Sequence, residues 1–108
     1  MALKISIAED FSPWPSGRYP TDGKFNGETF REEFLLPAIR SENDIVIFLD
    51  GLESYADSFF DEAFGGLSRV HGIDPEKVKR LVTVTSRDKL SSFFLRTLRK
   101  FVTVKVPA

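Results

Sequence analysis

An α/β fold is predicted, with a mostly parallel or mixed four-stranded sheet and helices packed against it. Three observations predict it. Short β-branched runs alternate with stretches of helical periodicity, the pattern of a sheet built through crossover helices. The run Ile45-Val46-Ile47-Phe48-Leu49 is unbroken and apolar, as in a strand buried on both faces. A chain of 108 residues, 42% hydrophobic and 29% charged, has the size and composition of one soluble domain with a real core, here taken as residues 1–108.

The elements follow in order. Leu3 to Ile7 alternates apolar and polar residues as a half-buried or edge strand does, and Ala8-Glu9-Asp10 closes it. Phe11 to Phe25 is rich in Pro, Gly, Ser and Asp and keeps no helical period. Within it Asp22-Gly23 is a hairpin-turn pair that would bring Arg18-Tyr19 opposite Lys24-Phe25. Trp14, between two prolines, is expected to anchor this loop onto the core. Asn26 is an N-cap and Glu28 suits the first turn of the helix it opens. Phe30, Phe34, Leu35, Ala38 and Ile39 form that helix's apolar face, and Arg31, Glu32 and Glu33 are expected to face water. Pro37 predicts a kink or an early end.

Asp50-Gly51 ends the central strand with turn chemistry. Ser58-Phe59-Phe60-Asp61 has the form of a capping box and predicts a helix beginning on Ser58. Phe60, Ala63, Phe64, Leu67 and Val70 make its apolar face, and Gly72 stops it. Asp74-Pro75-Glu76 starts a short helix with proline at the favoured first position. Arg80 to Thr85 is a β-branched strand. Ser86 or Asp88 caps a last helix with apolar positions at Leu90, Phe93, Phe94 and Leu98. Phe101 to Val106 is a final strand of either direction, or an extended tail.

Bulk properties exclude several classes. A formal net charge of −1 offers no argument for nucleic acid or membrane surfaces. With no cysteine there are no disulfides, thiol nucleophiles or zinc–thiolate sites. No signal peptide or span-length apolar run is present, which makes a cytoplasmic location the default. No cofactor or metal is expected. His71 stands without His or Cys partners, and the acidic group Asp50, Glu53, Asp57, Asp61 and Glu62 lacks EF-hand spacing. There is no nucleophile elbow and no glycine-rich phosphate loop, so an enzyme is not expected.

The chain resembles the STAS-like domain family of unknown function, bacterial domains related to the sulphate-transporter and anti-sigma-factor-antagonist fold. The resemblance rests on Gly17-Arg18-Tyr19 with Asp22-Gly23, on Gly27-Glu28 with Phe30-Arg31-Glu32, Phe34-Leu35 and Pro37, on Asp50-Gly51, and on Ser58-Phe59 with Asp61-Glu62-Ala63-Phe64-Gly65. It spans roughly Leu3 to Thr85. It implies a non-enzymatic regulatory module that binds a protein partner. Anti-sigma antagonists carry an Asp-Ser pair at the start of the helix after a central strand, and a partner kinase phosphorylates that serine. Asp57-Ser58 stands there, although Phe59-Phe60 follow where the antagonists have small residues. The resemblance thus implies a phosphorylation switch at Ser58, read by a histidine-kinase-like ATPase or another serine kinase.

Asp57, Phe59, Asp61 and Glu62, with Arg18 and Tyr19 from the loop, are the expected interaction surface around Ser58. A phosphoryl group there would meet free helix amides and add close to two negative charges. A serine followed three residues later by an acid is also ordinary helix architecture. Gly65-Gly66 weakens a helix by about 1 kcal/mol per glycine relative to alanine, so close packing against the sheet or an open backbone for a ligand must compensate. Arg87, Lys89, Arg96, Arg99 and Lys100 read as a solvated face, with RNA or an acidic partner as the alternative. A rival reading is a receiver-type aspartyl phosphoacceptor, with Glu9-Asp10, Asp50, Thr85 or Ser86, and Lys105 in receiver order. A plain scaffolding role is the third.

Overall fold

A computed structural model describes residues 2–107. Its sheet holds β1 (Leu3–Ser6), β2 (Ile45–Phe48), β3 (Val82–Thr85) and β4 (Thr103–Lys105). All three pairings are parallel, and the spatial order is the chain order, β1-β2-β3-β4. The final apolar run therefore joins the sheet as a parallel edge strand. The Thr103 hydroxyl steadies it by donating to the Lys79 carbonyl at 2.8 Å.

Among the described residues four helices accompany the sheet, besides single helical turns at Ile7–Phe11 and Pro20–Asp22. Helix α1 (27–40) joins Gly27–Phe30, a wide turn over Arg31–Leu35, and Leu36–Arg40 without a break. Helix α2 (57–69) joins Asp57–Phe60, a wide turn over Asp61–Gly65, and Gly66–Arg69. Helix α3 is Pro75–Leu81 and α4 is Ser92–Arg99. Because every crossover steps the same way along the sheet, a constant crossover hand places the helices on one face. Accordingly α1 packs on α2 and α2 on α4.

That one-sidedness corrects the reading of β2 as buried on both faces. Ile45, Ile47, Val82 and Val84 are fully buried under the helices, whereas their neighbours Val46, Phe48, Thr83 and Thr85 are half-buried on the other face. Full burial of each aliphatic side chain contributes about 1.5–3 kcal/mol, so the helical side holds the fold together.

The local signals that need only neighbouring residues act as expected. The Asn26 side chain accepts from the Thr29 amide at 2.9 Å and starts α1. Asp74 accepts from the Glu76 amide at 2.9 Å and starts α3. Others are displaced. Helix α2 begins two residues earlier than a Ser58 cap would give: Ala56 is its N-cap, without a side-chain bond, and Ser58 is the second helical residue. Asp61 does not reach back, because arginines hold it. Helix α4 is capped by Ser91, which accepts from the Phe94 amide at 3.2 Å, and not by Ser86 or Asp88.

Pro37 neither kinks nor ends α1, which runs on to Arg40. The wide turn just before it, closed by the Leu36 amide on the Arg31 carbonyl, relieves the clash a proline makes one turn back. In the long loop, Asp22-Gly23 closes a 3₁₀ turn over Pro20–Asp22 and no β-hairpin forms. Trp14 is 64% exposed. Phe11 anchors the loop in its place, with ring centroids 5.1 Å from Phe30, 5.3 Å from Phe25 and 6.0 Å from Phe59. Val70 and Phe93, read as core positions, are 59% and 66% exposed.

Candidate functional site

The largest departure from expectation lies between α1 and α2. Arg31, read as a water-facing residue, is 2% exposed. Its Nη1 donates to Glu62 Oε2 at 2.7 Å and to the Glu62 carbonyl at 2.9 Å. Its Nε donates to Glu32 Oε2 at 2.7 Å, and His71 Nε2 meets that same oxygen at 2.6 Å. Both helices carry their wide turn where Arg31 and Glu62 meet, and the two turns touch. Such turns re-aim side chains and recur at functional positions.

Arg18 extends the network to the surface. Asp22 accepts from the amides of Arg18 and Tyr19, both at 3.0 Å, which fixes the loop. The Gly27 and Glu28 amides donate to the Gly17 and Arg18 carbonyls at 3.0 and 2.9 Å, which ties the loop to the start of α1. So held, Arg18 Nη1 lies 2.5 Å from Asp61 Oδ2 and 3.7 Å from Glu62 Oε1. Arg69 approaches the same two carboxylates at 3.2 and 3.8 Å. Glu62 therefore faces three guanidinium groups.

Charge states follow from these contacts. The hydrogen bond to Asp61 raises the Arg18 pKa above its ordinary value, against a smaller opposing effect of burial. Burial alone would lower that of Arg31, but bonds to Glu32 and Glu62 outweigh it and the pKa rises. For Glu32 burial pulls the pKa upward, and the bonds to His71 and Arg31 overcome this and hold it low. The network is thus charged and mutually compensated.

The glycine pair now has a cause. A Cβ on Gly66 would collide with Arg31 Nη1, and one on Gly65 with Arg69 Nη1 and with the Phe101 ring at 2.9 Å. The close packing anticipated there is real, but it is packing against arginines and Phe101. A glycine pair inside a helical pattern was the one sequence signal that marked this network.

The residues expected around Ser58 divide into two groups. Phe59 is fully buried and Glu62 5% exposed, so neither can touch a partner; they support the surface from beneath. Tyr19 is exposed, and Asp57, Ser58, Asp61 and Arg18 are half-buried at the start of α2. Among the described residues no hydrogen bond engages the Ser58 hydroxyl. Ser58 and Asp61 are three apart and share a helix face, so the Asp61–Arg18 pair lies one turn from Ser58.

Compared with known families, residues 26 to 92 match the STAS-like domain of unknown function. The chain belongs to that family. No curated protein and no solved structure matches it. In this STAS-like chain the matched span contains Arg31, Asp57-Ser58, Glu62 and Gly65-Gly66, whereas Arg18 lies before it. A STAS-like domain suggests a regulatory module.

The receiver arrangement has only part of its geometry. Ser6, Phe48, Thr85 and Lys105 lie in register at the carboxyl end of the sheet. Yet Asp10 accepts from the Ser6 amide and Asp50 from the Arg87 amide, each at 2.8 Å. Asp10 closes its own turn and Asp50 ties down the loop after β3, and among the described residues no cluster of acids or histidines is arranged to hold a metal ion. No helix among them is long and apolar enough to cross a membrane.

Proposed function

We propose that this chain is a non-enzymatic regulatory module that binds a protein partner through the surface at the start of α2, and that phosphorylation of Ser58 switches that binding. The observation that carries the reading is the Ser58 hydroxyl, free of hydrogen bonds among the described residues and one helical turn from the Asp61–Arg18 ion pair.

The chemistry follows from that position. A serine kinase, such as a histidine-kinase-like ATPase, would transfer the γ-phosphoryl group of ATP to Ser58 Oγ, releasing ADP. The added group carries roughly −1.5 to −2 charge at neutral pH. It would stand beside the first amides of α2, which favour it, and near Asp57 and Asp61, which repel it. Arg18 is the adjustable element. Its half-buried guanidinium can exchange Asp61 for phosphoryl oxygens, and with it the 17–23 loop and Tyr19 would shift. A partner that docks on Tyr19, Asp57 and Ser58 would meet a changed shape and a changed charge.

Mass spectrometry of the protein isolated from its native cells tests this. A phosphoryl group on Ser58, and a set of co-purifying proteins lost in S58D but kept in S58A, is the expected result. A phosphoryl group on Asp50, labile to acid and base, would replace the reading with an aspartyl phosphoacceptor. An unmodified protein with the same co-purifying set in both variants would leave a plain scaffold.

A further inference from the structure

The net charge of −1 conceals a division of the molecule. Residues 77–108 contain nine Lys or Arg and one Asp, whereas residues 1–76 contain six Lys or Arg and fifteen Asp or Glu. The α1–α2 network pairs three of the N-terminal cations, Arg18, Arg31 and Arg69, with Glu32, Asp61 and Glu62, and leaves most of the N-terminal acids without an ion pair among the described residues. Of the nine C-terminal cations only Lys77, 2.5 Å from Glu42, forms an ion pair among the described residues. The others project from α3, the β3–α4 loop, α4 and β4, and all of them are exposed.

A groove runs through this basic corner, on both sides of Lys89-Leu90-Ser91. One depression, of about 660 Å³, lies between α4 and the chain after β4, with Leu90, Leu95 and Val106 as apolar lining and Lys89 and Arg99 as its cations. The second, of about 480 Å³, continues past Lys89 to Leu52 and Tyr55, and Asp88 is the one acid on its wall. The Tyr55 ring stands edge-on to Phe94 with centroids 5.2 Å apart, so that end has a fixed aromatic wall. In open α/β folds ligands bind beyond the carboxyl ends of the strands, where this groove lies.

We infer that the groove binds an extended acidic segment of a partner protein whose carboxylates alternate with apolar side chains. The lining decides the class. Lys89 and Arg99 have no internal partners among the described residues and attract carboxylates, with charge complementarity setting approach and register. Leu90, Leu95 and Val106 line the same depression and offer burial only to apolar side chains. A nucleic acid would use the cations but gain little from the aliphatic floor at Leu90, Leu95 and Val106. Its bases would find aromatic rings only at the Tyr55–Phe94 end, where the rings meet edge-on and do not form an open stacking platform. Two adjacent depressions that share Lys89-Leu90-Ser91 fit an extended chain with pockets for alternate side chains. This surface is distinct from Ser58 and needs no modification. If it fails, the Ser58 reading stands, because that reading is tested on the phosphoryl group itself.

The full chain, uniformly ¹⁵N-labelled, would be titrated with a peptide of about 12 residues alternating Asp and Leu, about 40 Å long when extended and so longer than the 35 Å long axis of the protein. The counterparts are an Asp/Ser peptide, a Lys/Leu peptide and an oligouridine of similar length. The Asp/Leu peptide is expected to shift the amides of 89–95 and 104–106, and to bind about tenfold more weakly to K89E/R99E, whose exposed side chains make the fold indifferent to the change. The Asp/Ser peptide should bind at least about fivefold more weakly than Asp/Leu, the share of the apolar anchors. Equal binding of Asp/Ser, tighter binding of the RNA at the same amides, shifts elsewhere, or unchanged affinity in K89E/R99E would each overturn the inference.

Discussion

The α1–α2 interface and the α4–β4 corner treat charge in opposite ways. In the interface Arg31 and Glu62 lie in the core at 2% and 5% exposure, and Arg18, Arg69, Glu32 and Asp61 surround them in one connected set of ion pairs. In the corner Lys89, Arg96, Arg99 and Lys100 stand in solvent, without ion pairs among the described residues. Charges taken out of water must be matched or the fold loses several kcal/mol, whereas exposed charges carry almost no structural consequence. The first region is therefore constrained by folding. The second is free to be shaped by what it binds. A basic corner without internal partners is the more informative about recognition, and the buried network about specificity of structure.

The most damaging test of this contrast is R31M. Removing one member of a buried pair leaves the Glu62 carboxylate without its closest donor, and a loss of about 3–5 kcal/mol is expected in denaturant unfolding. R31M/E62L removes both charges and should lose clearly less than R31M alone, because no unpaired ion remains. The same substitution type at Arg96 should stay within about 0.5 kcal/mol of the parent. Equal losses at Arg31 and Arg96 would erase the distinction between the regions.

A smaller effect, and one whose sign is diagnostic, is expected for G66A. Alanine is favoured over glycine in a helix by about 1 kcal/mol. Against this, the new methyl group would meet Arg31 Nη1, and such overpacking costs about 1–3 kcal/mol. Net destabilisation is expected by thermal or denaturant unfolding. A stabilised G66A would mean that the guanidinium can move aside, and the network would then be looser than its geometry implies.

How far the sequence reaches into each region follows the same division. Strand Ile45–Phe48 was legible because a β-branched apolar run needs no distant partner, and the Asn26 and Asp74 caps because each bonds within three residues. Helix α2 was legible in existence but shifted in start, since Ser58 and Asp61 fit a capping box that Asp61 abandons for Arg18 and Arg69. Arg31 was not legible at all. Its burial depends on Glu62, 31 residues away, and on wide turns that periodicity at 3.6 residues does not encode. Pro37 pointed to a kink or a helix end for the same reason, because a turn widened just ahead of a proline leaves no mark in composition. Trp14 drew attention by size, yet Phe11 fills the space because it can reach Phe25, Phe30 and Phe59 at once. The basic corner was visible as a run of cations, and only its want of internal partners gave it meaning.

The mildest test uses acid. In the folded chain the Glu32 carboxyl titrates below its ordinary 4.5, because His71 and Arg31 bond its charged form more strongly than burial opposes it. A carboxyl with a depressed folded pKa stabilises the fold above its unfolded value, and that contribution is lost as pH falls through the folded one. The contribution of Glu32 is thus fully present at neutral pH, begins to fall near 4.5 and is gone below the folded pKa. In E32Q the group cannot titrate. Stability profiles of the parent and E32Q should therefore be separated at neutral pH and converge through that acid window, with the parent falling more steeply. Because Glu32 is partly exposed and screened, the gap at neutral pH should be smaller than that for R31M. Parallel profiles would show that Glu32 is a solvated bystander, and the network would then end at the Arg31–Glu62 pair instead of continuing through Glu32 to His71.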